Sequence, residues 1–262
     1  MKTIYADGFA LAVLEQGMGS PLLFAHGFPL DHRMWRRQIE RFTATHRVIA
    51  PDLRGLGKSI GSSGTTAMSR MADDLVRILD ALEIVEPVTL CGLSMGGCAA
   101  WEFWNRHPGR LGRLIVCDAR AAADLPETVE TRMTTAQRVL AEGVGFLVDA
   151  YMPRLLAAEN LSRPDIVEPI KQMILQSDPA GVAAAVRGLG TRIDATGMLP
   201  HIAVPTLLIV GEHDVISPAQ EMREIAAAIP GAQCVVIPSA GHMAPLENPD
   251  AVNDAIAAFL GL

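Results

Sequence analysis

The 262-residue chain lacks any apolar run near the ~18–20 residues that a membrane helix needs, so no membrane association is expected. It also lacks a basic run: 22 Lys and Arg stand against 29 Asp and Glu, for a formal net charge of −7. Nucleic acid and anionic membrane surfaces both reward clustered positive charge, so neither is expected as a partner. Cysteine is scarce. Cys91, Cys98, Cys117 and Cys234 form no CxxC pair, and three of them lie in apolar runs that read as buried strands. They are expected to be reduced core thiols of a cytoplasmic protein. His and Cys do not cluster at metal-ligand spacing, so no metal is expected. Met1–Gly17 carries Asp7 and Glu15 and has no long apolar core, so it does not read as a signal peptide. Internal repeats and low-complexity tracts are absent.

What is present is an alternation. Short apolar runs bounded by turn residues occur at Pro21–His26, Arg47–Pro51, Val88–Gly92, Leu114–Cys117, Thr206–Val210 and Cys234–Ile237. Their nearly unbroken apolar character is that of parallel strands covered on both faces. Helical patterns fill the gaps at Asp31–Phe42, Thr66–Leu82, Met95–His107, Pro218–Ile229 and Pro249–Leu260. Asn248 before Pro249 is an N-cap followed by proline at the first helical position. The fold class is α/β: a mostly parallel sheet with right-handed crossovers, flanked by helices. Ile4–Leu14 reads as an antiparallel hairpin at the sheet edge. From residue 121 to 203 no strand run occurs, and the prolines at 126, 153, 164, 169, 179 and 200 are expected to divide a helical stretch. The expected organisation is therefore a core of residues 1–120 and 204–262, with a helical cap, 121–203, over the carboxyl ends of the strands. Open α/β sheets bind ligands there.

The chemistry centres on Gly92-Leu93-Ser94-Met95-Gly96, which follows a strand and precedes a helix. A G-x-S-x-G in that context is a nucleophile elbow. The sharp turn strains the backbone and crowds its neighbours, and glycine at 92 and 96 removes the clashing Cβ atoms. A serine hydroxyl needs a base, and His242, in the loop after the last strand run, is placed to reach it. In an elbow of this kind the acid lies between serine and histidine in chain order. Asp214, after Thr206–Val210, is the expected acid; Asp118, one strand earlier, and Glu212 are the competitors. Oxyanion donors are expected from the backbone N–H groups of Met95 and Phe28. Phe28 and Met243 are expected to contact substrate, and with Met95 and Leu246 to make the pocket mouth apolar; the cap methionines Met133, Met152, Met173 and Met198 could add to it, but are expected mainly to pack between helices. His26 is expected to brace its loop. Pro51–Ser59 fits no phosphate-loop spacing, and reads as a turn tied by Asp52.

Taken together, His26-Gly27-Phe28-Pro29, Asp52–Ser59, Gly92–Gly97, Gly211-Glu212-His213-Asp214 and Gly241-His242 resemble the α/β-hydrolase superfamily over nearly the whole chain. The resemblance implies a Ser-His-Asp hydrolase without cofactor or metal. Serine at position 94 separates it from haloalkane dehalogenases and epoxide hydrolases, which use aspartate. Leu90–Gly97 and Leu114–Asp118 resemble 3-oxoadipate enol-lactonases, whereas His-Gly-Phe-Pro is similar to the loop of esterases, C–C bond hydrolases and perhydrolases. The expected function is hydrolysis of a small-molecule carboxylic ester of short-to-medium acyl chain. Enol-lactone hydrolysis, or perhydrolase or C–C hydrolase chemistry on the same residues, is the alternative. A homo-oligomer is compatible with the sequence.

Overall fold

The computed structural model describes residues 1–262. Eight strands form one sheet: β1 (Lys2–Ala6), β2 (Phe9–Gln16), β3 (Ser20–Ala25), β4 (His46–Pro51), β5 (Val88–Leu93), β6 (Leu111–Cys117), β7 (Thr206–Gly211) and β8 (Gln233–Ile237). Their spatial order is β1-β2-β4-β3-β5-β6-β7-β8. β1 and β2 pair antiparallel, as do β2 and β4, and every later pairing is parallel. The hairpin expected at the edge is β1–β2. The central strands are apolar along their length because both faces are covered: β7 is buried at all six positions. β1, at the edge, alternates exposed and buried residues.

Helices α1 (Arg36–Phe42), α2 (Met68–Ala81) and α3 (Met95–Arg106) connect the first half of the sheet. α2 ends as its pattern indicates, with Glu83 in the left-handed region beyond its last turn. Between β6 and β7 lie α4 (Pro126–Glu142), α5 (Phe146–Leu155), α6 (Pro164–Leu175) and α7 (Pro179–Gly190). Prolines 126, 164 and 179 open helices, where their missing N–H is not needed. The expectation fails for Pro153 and Pro169, which lie inside α5 and α6 rather than between helices. After β7 come α8 (Ala219–Ala228), α9 (Ala244–Glu247) and α10 (Pro249–Leu260). The Asn248 side chain caps α10 by accepting from the Ala251 N–H. No helix is long and apolar enough to cross a membrane.

The inserted helices sit directly on the loops below them. A Cβ on Gly181 of α7 would run into the Gly55 carbonyl, and one on Gly188 into that of Thr66. Only glycine allows backbone to approach backbone so closely. The Thr66 N–H donates to the Ala184 carbonyl at 3.0 Å, stitching α7 to the segment before α2. All four cysteines are free thiols, three of them buried and Cys234 half-buried.

Candidate active site

The carboxyl ends of β3, β5, β6, β7 and β8 point towards the inserted helices, and their loops deliver the site. Ser94 follows β5 directly, with φ of +51°, a conformation that L-residues avoid. Its neighbours explain how the chain tolerates it. A Cβ on Gly92 would strike the Gly96 carbonyl, and one on Gly96 would strike that of Ala25. The Ser94 N–H donates to the Cys117 carbonyl at 2.9 Å, and the Ser94 carbonyl accepts from the Cys98 N–H at 2.9 Å, starting α3.

Three of the expected residues meet. His242 Nε2 lies 2.8 Å from Ser94 Oγ, and His242 Nδ1 lies 2.8 Å from Asp214 Oδ2. Both His242 and Asp214 are buried. The other oxygen of Asp214, Oδ1, accepts from the N–H groups of Ile216 at 2.7 Å and Ser217 at 3.0 Å. The carboxylate is thereby fixed and its charge stabilised, leaving Oδ2 for the imidazole. Since Nδ1 faces a carboxylate it carries the proton, and Nε2 is left as the acceptor facing serine. Asp118 does not reach the histidine as a partner; it lies beside Asp214, fully buried. Glu212 is half-exposed and accepts from the Ser239 N–H instead, so it takes no part.

Phe28 and Met95 flank Ser94 as expected. The Phe28 N–H has no acceptor within the protein. Met95 is the first residue of α3, where an N–H has no intrahelical partner. Neither N–H is taken up by an acceptor of the protein. Phe28 lines the cavity above Ser94, its ring packed edge-on against Tyr151 at 6.0 Å. His26 braces this loop as expected. Its Nδ1 bonds the Gly27 carbonyl at 2.9 Å and its Nε2 accepts from the Leu53 N–H at 2.8 Å. Burial pushes His26 below the ordinary histidine range, so it stays neutral in that role. Asp52 ties the adjacent loop, accepting from the His32 N–H at 2.9 Å and the Lys58 N–H at 2.8 Å.

The apolar pocket expected from the methionines is not there. Met243 is 1% exposed and belongs to the core, as does Met95 at 0%. Neither these two, nor Leu246, nor the four cap methionines line the cavity. Met243 is held inward because its N–H bonds Leu155 and Glu247, which turns the loop after His242 into the core. Met152 and Met173 are buried in core packing.

The cavity mixes apolar side chains, Leu155, Leu189 and Ile216 among them, with a cluster of positive charge in its wall. Its volume is about 210 Å³, small for a ligand site, and its wall carries Arg120, Arg132, Arg154 and Arg192 beside Ser94 and His242. Arg132 and Arg192 both pair with the buried side chain of Asp124, and Arg120 pairs with Glu221 at 2.9 Å. Arg154 makes no ion pair. Asp124 is the sole acid in the wall, so the cavity is net positive. Burial pushes the Tyr151 hydroxyl up, against the pull of Arg132 and Arg154. Tyr151 therefore enters the cavity as a neutral hydrogen-bonding group.

A residue with no signal in the sequence holds this side together. Glu247 is buried, and its carboxylate accepts from Ala157 N–H and Asn160 Nδ2, each at 2.8 Å, and from the N–H groups of Gly241 at 2.8 Å and Met243 at 3.2 Å. Burial raises its pKa while those donors pull it down. It ties the helical insertion to the two residues that flank His242.

Residues 20–249 match the family described as the alpha/beta hydrolase fold. Among solved structures, a thermophilic esterase from Thermogutta terrifontis, studied with malate bound, superposes with a TM-score of 0.96 at 44% identity, over 99% of this chain and 96% of that one. The enol-lactonase from Burkholderia xenovorans LB400 gives 0.92 at 28% identity, over the full length of both chains. By sequence, 3-oxoadipate enol-lactonase 2 of Acinetobacter baylyi is 27% identical over 261 residues, 98% of this chain and 96% of that protein. The elbow, the strand order and the matched span agree: the chain belongs to the α/β-hydrolase fold family.

Proposed function

We propose that this protein is a serine hydrolase that cleaves short-chain carboxylic esters through an acyl-enzyme, with Ser94 as nucleophile, His242 as base and Asp214 as the acid that orients it. The observation that carries the reading is the unbroken line from Ser94 Oγ through both ring nitrogens of His242 to Asp214, with 2.8 Å at each link. Ser94 Oγ attacks the ester carbonyl as its proton passes to Nε2. The oxyanion is met by the N–H groups of Phe28 and Met95. His242, now an imidazolium stabilised by Asp214, protonates the departing alcohol, and a water activated by the same nitrogen releases the acid and restores Ser94. No cofactor enters any step.

The cavity supports a particular substrate class. Its small volume suits short acyl groups, and its guanidinium wall suits a substrate with its own carboxylate, because Arg presents a fork that matches that group. Arg154, which has no internal partner, is the residue proposed to bind it. The malate held by the Thermogutta terrifontis esterase is a dicarboxylate of similar size. This narrows the short-to-medium acyl ester expected from the sequence to a short one that carries a charge. The same positive wall favours a second reading, hydrolysis of a carboxylate-bearing enol-lactone, which the enol-lactonase relatives support.

The test is a substrate panel with wild type and Ser94→Ala: p-nitrophenyl acetate, butyrate and octanoate, the p-nitrophenyl half-ester of succinate, and an enol-lactone carrying a carboxylate. Wild type should prefer the half-ester and acetate over octanoate, and Ser94→Ala should lose on the order of 10⁶-fold in turnover. Fast lactone turnover with poor esters moves the assignment to the second reading. No hydrolysis of any member by folded protein overturns both.

A further inference from the structure

Asp118 is the strongest unexplained group outside the proposed catalytic line. It follows β6 directly, with φ of +48°, and is 0% exposed. Its Oδ1 accepts from the Gly211 N–H at 2.8 Å, but Oδ2 has no hydrogen-bond partner although it is sealed from water. A buried carboxylate oxygen without a donor is costly. The neighbours make it costlier. Carboxylate oxygens of Asp118 and Asp214 and a ring nitrogen of His242 all lie within 4.8 Å of one another. The Asp118 carbonyl is itself bonded by Ser217 Oγ at 3.1 Å, so the two loops hold the carboxyl groups side by side.

Two ionised carboxylates sealed at this distance would place two negative charges beside one imidazole. A single shared proton removes that repulsion and gives Oδ2 something to do. Resting on the reading that Asp214 orients His242, we propose that Asp118 is a neutral, proton-bearing positioning residue that donates a hydrogen bond from its carboxyl to Asp214. Asp214 would then have every one of its contacts filled by a donor: Ile216, Ser217, His242 and Asp118. The titratable groups facing Asp118 are Asp214 and His242 from the loops after β7 and β8, and Cys117 from its own strand. Burial, the Asp214 charge and Cys117 all push the Asp118 carboxyl well above the ordinary range, against the pull of the Gly211 N–H.

The arrangement bears on the rate in a defined way. The pair carries one negative charge, matched to the one positive charge of the imidazolium in the transition state. A donor on Asp214 also lowers its basicity, so the proton stays on His242 Nδ1 rather than moving to the acid. Removing the donor concentrates charge on Asp214, stabilises the imidazolium in the resting enzyme and raises the pH at which His242 becomes a competent base. Had Asp118 been ionised, removing it would shift that pH the other way.

The experiment uses the full chain and three variants, Asp118→Asn, Asp118→Leu and Ser94→Ala. Asparagine keeps the shape, the acceptor for Gly211 and a donor for Asp214; leucine keeps only bulk. Infrared difference spectra of wild type against Asp118→Asn at neutral pH should contain the C=O stretch of a buried protonated carboxylic acid, shifted in D₂O. That readout needs no turnover, so it stands even where the esterase assignment fails. In kcat/KM profiles, Asp118→Leu should fall on the order of 10- to 100-fold, mostly in kcat, with its acid limb moved to higher pH. Asp118→Asn should recover most of the loss. An ionised-carboxylate band lost in place of the acid band overturns the proposal. An acid limb that moves to lower pH in Asp118→Asn overturns it too, as does Asp118→Leu with an unchanged limb. Loss of hydrolysis in Ser94→Ala, or its absence in wild type, bears only on the underlying reading.

Discussion

Single residues decide two outcomes here. Asp214 takes two backbone donors on one oxygen and the imidazole on the other. Asp214→Asn should keep that shape but offer the imidazole a donor or a weaker acceptor, and turnover should fall on the order of 10⁴-fold with little change in melting temperature. An active Asp214→Asn enzyme would move the acid elsewhere. Arg154 makes a separable prediction: Arg154→Ala should lose on the order of 10- to 100-fold in kcat/KM on a carboxylate-bearing half-ester. On p-nitrophenyl acetate it should lose little, since no step of bond cleavage needs a guanidinium. Equal losses on both substrates would assign Arg154 to the structure of the cavity rather than to recognition. The chemical residues were legible in the chain because Ser94, Asp214 and His242 each follow a strand at a landmark turn. The recognition residues were not. Arg120, Arg132, Arg154 and Arg192 are spread over the end of β6 and the inserted helices. Which of them meet around one cavity depends on how those helices pack. Met243 misled for the converse reason: its nearness to His242 in sequence says nothing of the direction in which Leu155 and Glu247 hold its backbone.

At the scale of elements, the sheet was readable because burial on both faces imposes nearly continuous apolar runs on β3 to β7. Strand ends fell within a few residues of the expected ones; β6 begins at Leu111 rather than Leu114, its first residues alternating burial before the apolar run. The inserted helices were recognised as helical, but their seating was not, since it rests on backbone approaches at glycine. Gly181→Ala and Gly188→Ala test that seating. Each adds one methyl group where a carbonyl stands, and each should destabilise the protein by about 1–3 kcal/mol, read as a fall in denaturant midpoint. Neither glycine lines the cavity, so the proposed chemistry should suffer only through displacement of α7. Wild-type stability in both would mean that α7 yields freely at this contact. Glu247 does comparable work on the other side, with donors from one turn of the insertion, Ala157 and Asn160, and from the His242 loop. Glu247→Ala takes an acceptor from four buried donors, leaving the N–H groups of Ala157 and Gly241 with none, and should loosen His242 and lower kcat and stability together.

Across the whole molecule, several carboxylates link stability to pH. Burial works to raise Asp52, but the hydrogen bond and charge of His32 hold it below the ordinary carboxylate range; Asp73 behaves alike beside Arg106 and His107. Because their folded values are depressed, the stability they confer is present above about pH 4, the unfolded value. It is lost as pH falls through the folded values. Asp52→Asn should therefore destabilise the protein at neutral pH, and the gap to wild type should close on acidification. A gap independent of pH would contradict the linkage. At this scale the net charge of −7 hides the site: an acidic molecule carries a positive cavity, and composition averages over both.

The central claim is that Ser94 becomes covalently acylated. The most direct measurement is intact-mass and peptide mapping of the protein after reaction with a fluorophosphonate, in wild type and in His242→Ala. The account predicts one adduct per chain, on Ser94, formed quickly in wild type and very slowly without His242. Labelling at another residue, or no labelling of folded wild type, would contradict it.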